Sequence, residues 1–185
     1  NGYIAIAPNL HYREAPGAKP DDAAAAVRSQ GGVPDERCIG DVDGSANYLR
    51  SLPYSNGKVG VIGYCSGGRQ VYIVACNIPS IDAAVDCYGG RVVMEDKDLT
   101  ERMPVSPLEM TPNMNCPILG LFGAEDANPD KSQVNKIEQE LKLNNKPYEF
   151  HTYEGAGHGF FSVDRPSYNV EAANDGWEKI FDFYG

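Results

Sequence analysis

The chain has 185 residues, which argues for one domain with a single core, and its 42% hydrophobic and 23% charged residues exclude a disordered chain. No apolar run approaches the roughly 18 residues that a membrane-spanning helix needs, which excludes an integral membrane protein of that kind. A formal net charge of −10, with no basic stripe to offset it, repels nucleic acid and anionic lipid, so neither is expected as a partner.

The chain opens Asn1-Gly2-Tyr3-Ile4, with neither a start Met nor a signal peptide, and Tyr3–Ala7 already reads as a buried strand. The true N-terminus is therefore expected to lie upstream. Ala15–Arg37 mixes Pro and Gly around Ala23–Ala26, a run suited to a short helix. A helix is predicted over Asp41–Leu52, a strand over Val59–Gly63, a helix over Gly67–Cys76 and a strand over Ala83–Tyr88. Gly89–Pro117 follows, a connection rich in Pro and Met whose length suits a lid, a binding loop or local disorder. Ile118–Phe122 (strand), Asp130–Leu143 (helix), Tyr148–Tyr153 (strand) and Val170–Phe183 (helix) complete the series. Several strands are continuously apolar, as in parallel sheets covered on both faces. The alternation predicts one domain over residues 1–185, α/β in class, with a mostly parallel sheet and helices on both faces.

The five cysteines, Cys38, Cys65, Cys76, Cys87 and Cys116, are odd in number and show no CxxC spacing. That pattern fits reduced thiols in a cytoplasmic protein better than a disulfide framework or a zinc site. The sharpest motif surrounds one of them. An apolar strand runs through Val61-Ile62-Gly63-Tyr64-Cys65-Ser66-Gly67-Gly68 into a helix, which has the form of a nucleophile elbow with cysteine in the serine position. Small residues at positions 63 and 67 would make room for the tight turn. The helix N-terminus favours a thiolate at Cys65, and the Ser66 backbone N–H points where an oxyanion would form. The plain alternative is a buried cysteine on a Gly-rich turn. Ser66 is the rival nucleophile, disfavoured by Tyr64 two residues before it.

This scaffold orders its partners nucleophile, acid, histidine. Asp126 follows a later strand in Gly123-Ala124-Glu125-Asp126, and His158 follows the next in Gly157-His158-Gly159-Phe160, at gaps of 61 and 32 residues. All three can therefore meet at the carboxyl edge of the sheet. Glu125 and Asp130 compete with Asp126, the latter as a helix cap, and His11 and His151 compete with His158.

These segments together resemble the dienelactone hydrolase family of α/β-hydrolases, in which cysteine replaces serine. Gly63-Tyr64-Cys65-Ser66-Gly67-Gly68 is similar to its nucleophile motif, Gly2-Tyr3…Arg13 to a strand and arginine-bearing loop, and Tyr88-Gly89 to the turn after the next strand. The tail from Asp164 to Asn169 with Trp177 is similar as well. The resemblance implies an α/β-hydrolase fold, N-terminally incomplete here, with upstream strands that carry a second oxyanion donor and an acidic residue near the cysteine. It also implies a Cys65–Asp126–His158 triad and a carboxymethylenebutenolidase-like activity. The substrate would be a small ester or lactone, carboxylated in the family manner or not, cleaved through a thioester at Cys65 with no cofactor and no metal. Arg13 is the candidate for a substrate carboxylate, with a surface arginine as its plain alternative. Tyr64, Tyr88 and Phe160 are candidate substrate-binding walls, or simply packing. The family's arginine four residues after the histidine is Ser162 here, with Arg165 three further on. The rival functions are a general carboxylesterase or thioesterase, a non-catalytic binding protein on the same scaffold, and a redox sensor at Cys65.

Overall fold

The continuously apolar runs meet in one sheet. A computed structural model, describing residues 2–185, sets β1 (Gly60–Tyr64), β2 (Ala83–Cys87), β3 (Ile118–Gly123) and β4 (Tyr148–Tyr153) side by side in that order, all parallel. The register aligns Val61, Ala84, Ile118 and Tyr148 in one row across the sheet. Because successive side chains alternate between faces, such rows sort the apolar residues into two cores. Val59, Val61, Ala84, Ile118 and Phe150 pack beneath α2 (Asp35–Ser51), α3 (Ser66–Asn77) and α4 (Lys131–Leu143). Val85, Cys87, Leu119 and Leu121 face the other way, against Ala172 and Ile180 of α5 (Val170–Tyr184) and against Phe160. Every residue of β3 is buried, as a central strand covered on both faces requires.

Helix ends follow local chemistry. Asp130 caps α4 by accepting from the Gln133 N–H at 2.9 Å while Gln133 reaches back to the Asp130 N–H at 3.0 Å, a reciprocal capping box. The tetra-alanine run lies in α1 (Pro20–Ser29), which has Pro at its start and Asp21 and Asp22 in its first turn.

Three expectations change. Tyr3–Ala7 forms no strand, and Tyr3, Ile4 and Ile6 are exposed. A strand exists through its pairing, and among the described residues nothing pairs with this segment; Tyr3 instead sets its ring against Phe181 and Tyr184 of α5. Helix α2 begins at Asp35, six residues before the predicted start, because Asp35 and Glu36 suit its first turn and tertiary contacts bury Cys38. Gly89–Pro117 contains two short 3₁₀ turns, Asp96–Asp98 and Pro107–Asn113, and is packed rather than loose. Val92, Met103, Met114 and Cys116 are buried, and the Tyr72 and Thr111 hydroxyls hydrogen-bond at 2.6 Å.

Candidate active site

β1 ends in a sharp turn at Cys65, whose φ of 56° and ψ of −120° lie outside the ordinary regions for an L-residue. The turn holds because neighbouring backbone encloses it. The Cys65 N–H donates to the Cys87 carbonyl at 3.0 Å, and the Cys65 carbonyl accepts from Gly68 at 3.0 Å as α3 begins. A side chain at Gly63 would run into the Gly67 carbonyl, so the first glycine of the motif is required by close approach. The second is not: a Cβ at Gly67 would meet nothing within 4 Å. Gly68 and Gly89 are the other tight pair, with the Asp86 side chain wedged beside both.

The acid and the histidine follow the ends of β3 and β4. Gly123 closes β3 against the Ala156 carbonyl, into which a Cβ would run. The Ala124 and Glu125 N–H groups donate to the Tyr153 and Ala156 carbonyls at 2.9 and 3.0 Å, which stitches the acid loop to the histidine loop. The result is a hydrogen bond of 2.8 Å between His158 Nδ1 and Asp126 Oδ2, while Asp126 Oδ1 accepts from the Asn128 N–H at 2.8 Å. Asp126 is buried; Cys65 and His158 are exposed. The competitors lie elsewhere. Glu125 is exposed, Asp130 caps α4, His151 pairs with Glu149 within β4 at 2.6 Å, and His11 belongs to the turn after Asn9.

Hydrogen bonding to His158 holds the Cys65 thiol below its ordinary value against the opposing effect of burial. The Ser66 N–H, directed at the sulfur, lowers it further, and Asp126 works the other way. The same bond to Cys65, reinforced by Asp126 and opposed by desolvation, raises His158 to about 9. Both directions favour a thiolate–imidazolium pair. Burial pushes the other thiols up instead, to about 12 at Cys38 and Cys76, about 11 at Cys116 and well above the usual range at Cys87.

The surrounding aromatics divide. Phe160 is 0% exposed and Tyr88 2%, so both are core side chains behind the site rather than open walls, a correction to the sequence reading. Tyr88, at a left-handed φ of 45°, sets its ring edge-on to His158 with centroids 5.1 Å apart. Tyr64 is half-buried and packs edge-on against Phe161 at 5.5 Å, next to Tyr88. Arg13 does not stand free for a ligand: both terminal nitrogens bind Asp41, at 2.7 and 2.9 Å. Arg165 is exposed after the Ser162 turn. Among the described residues no cluster of ligating side chains could hold a metal ion.

Two groups escaped the sequence reading. Asp86 is fully buried beneath the elbow and accepts from the Gly89 N–H at 2.7 Å; burial, relieved only by that bond, pushes it up to about 7. Its signal was a lone acid inside an apolar strand. Arg69, on the first turn of α3, pairs with Asp35 at 2.6 Å, and residues 34 positions apart left no mark of that contact in the sequence.

All 185 residues match the dienelactone hydrolase family. An Escherichia coli (strain K12) relative, provisionally named a carboxymethylenebutenolidase, is 33% identical over 99% of the chain, which spans 66% of that relative's length, just under two thirds. The carboxymethylenebutenolidase of Pseudomonas putida is 32% identical over 98% of the chain and 73% of its own length. A crystal structure of a Klebsiella pneumoniae protein, provisionally described as a dienelactone hydrolase, superposes with a TM-score of 0.83 at 29% identity, covering 95% of this chain and 72% of that one.

Proposed function

The chain belongs to the dienelactone hydrolase family, and from that premise we propose that it hydrolyses an activated ester or lactone, with Cys65 as nucleophile, His158 as proton carrier and Asp126 as the group that orients the imidazole. One observation carries the reading. Of the five cysteines only Cys65 is exposed, and it alone is held toward the thiolate, by a histidine whose other ring nitrogen is fixed on a buried carboxylate. Nucleophile, base and orienting group in hydrogen-bonded series is the arrangement that acyl transfer uses.

The thiolate adds to the substrate carbonyl, and the Ser66 N–H, directed at the sulfur in the resting site, turns to the oxyanion as the C–S bond forms. Collapse breaks the C–O bond, and the leaving alkoxide or enolate takes the His158 proton. A thioester remains at Cys65. His158, now neutral, takes a proton from water as that water attacks the thioester, and the acid departs with the thiolate restored. Thiolate leaves the tetrahedral intermediate more readily than an alkyl alkoxide does, so the reaction favours enol lactones, aryl esters and thioesters over simple alkyl esters.

Arg13, the arginine that the family resemblance offers to a substrate carboxylate, is held by Asp41, which favours an uncharged acyl group. In the thiolate–imidazolium form the two charges cancel and the Asp126 carboxylate remains. Turnover of a neutral aryl ester beside a carboxylated dienelactone, each with Cys65→Ala as control, tests both parts. Loss of ester turnover in the variant, with the neutral substrate preferred, is the expected result; turnover surviving Cys65→Ala would overturn the triad.

A further inference from the structure

Arg69 stands one turn beyond Cys65, and its backbone N–H shares the Cys65 carbonyl with that of Gly68, at 3.4 and 3.0 Å. Its side chain does not run out to water. Arg69 is 4% exposed and Asp35 5%, and they meet in a two-pronged pair, Nη1 to Oδ1 at 2.6 Å and Nη2 to Oδ2 at 3.0 Å. The Nε–H donates to the Arg91 carbonyl at 3.2 Å, and Nη2 also reaches the Met94 sulfur at 3.7 Å. Arg91 closes the strained Tyr88–Arg91 turn, and Tyr88 is the ring that backs His158.

We propose that the buried Arg69–Asp35 pair is a positioning device for the nucleophile elbow, fixing where Cys65 stands relative to His158; the inference rests on the proposed triad. One planar group ties together the elbow helix, the start of α2 and the turn beneath the histidine. Asp35 is itself held, its N–H donating to the Arg102 carbonyl at 2.9 Å, while Arg102 binds Glu14 at 3.2 Å and the Gly32 carbonyl at 2.9 Å. Stability alone explains such a pair poorly, because apolar residues of similar volume often hold a fold equally well once both charges are gone. Apolar side chains lack a fixed fork, and the fork sets the angle and depth of α3. A nucleophile displaced by about 1 Å can lose on the order of 100-fold in rate. Arg69 and Asp35 touch no reacting atom and are positioning residues.

The decisive variant is the double replacement Arg69→Met with Asp35→Leu, which removes both charges and leaves neither orphaned. It is expected to melt within about 5 °C of the native protein. Its kcat on an aryl ester should fall about 100-fold with KM little changed. The pH midpoint of Cys65 alkylation by iodoacetamide should rise toward that of a free thiol, about 8.5. Arg69→Lys keeps the charge but not the fork and decides the matter if the double variant fails to fold; its kcat should fall about tenfold with a smaller rise in the midpoint. Native kcat and midpoint in a folded variant would overturn the positioning role. Native protein whose Cys65 labels only near pH 8.5 would overturn the triad with it, so the two failures are distinguishable.

Discussion

The hydrogen bond between Cys65 and His158 moves both groups, lowering the thiol and raising the imidazole to about 9. Between those two values the pair is a thiolate and an imidazolium. The charged form is lost as pH falls through the lowered thiol value, and again as pH rises through about 9. Iodoacetamide should therefore label one cysteine rapidly at pH 7, because the other four are buried. In His158→Ala the thiol loses its partner, and labelling at pH 7 should slow by on the order of tenfold or more, recovering as pH approaches about 8.5. Equal labelling of the two proteins at pH 7 would contradict the ion pair. Asp126→Asn keeps the shape but removes the charge that holds Nδ1, so kcat is expected to fall about 10²–10⁴-fold with the circular dichroism spectrum unchanged.

Strand ends and helix starts convert these residues into a site, and the glycines at the elbow differ in what they do. Gly63→Ala would press a methyl against the Gly67 carbonyl, which lies in the backbone and cannot turn aside. It should cost about 1–3 kcal/mol and slow Cys65 labelling. Gly67→Ala enters open space within α3 and should be tolerated or stabilise by about 0.5–1 kcal/mol; thermal melts of the two variants check the contrast. Asp130→Ala removes a capping box and should cost about 1 kcal/mol while leaving labelling intact, which separates the helix cap from the neighbouring Asp126. β3 and the loop bearing Asp126 were legible because a continuous apolar run followed by Gly and an acid is a local pattern, and β4 and the His158 loop because alternating apolar residues followed by Gly and a histidine are another. The start of α2, the burial of Gly89–Pro117 and the Arg69–Asp35 pair were not, because each depends on partners distant in sequence. Tyr3–Ala7 failed for a related reason: an apolar run marks a candidate strand, but pairing makes one. Arg13 was singled out for its charge, and Asp41, 28 residues away, already holds it.

At the scale of the whole molecule, a chain of net charge −10 surrounds the candidate site. Two aryl esters that differ only by a carboxylate on the acyl group should show kcat/KM at least about tenfold higher for the neutral one at low ionic strength. The gap should narrow as salt shortens the screening length from about 30 Å at 0.01 M to about 10 Å at 0.1 M. A preference for the anionic ester would mean that a cation reaches the site and that the uncharged-acyl reading is wrong. The central claim, that Cys65 carries the acyl group, is tested most directly by mixing the protein with an aryl ester, quenching in acid within the first turnover and mapping the peptides by mass. One acyl group, labile to hydroxylamine, is expected on Cys65. An adduct on Ser66, or turnover with no acyl group on Cys65 at any quench time, would contradict it.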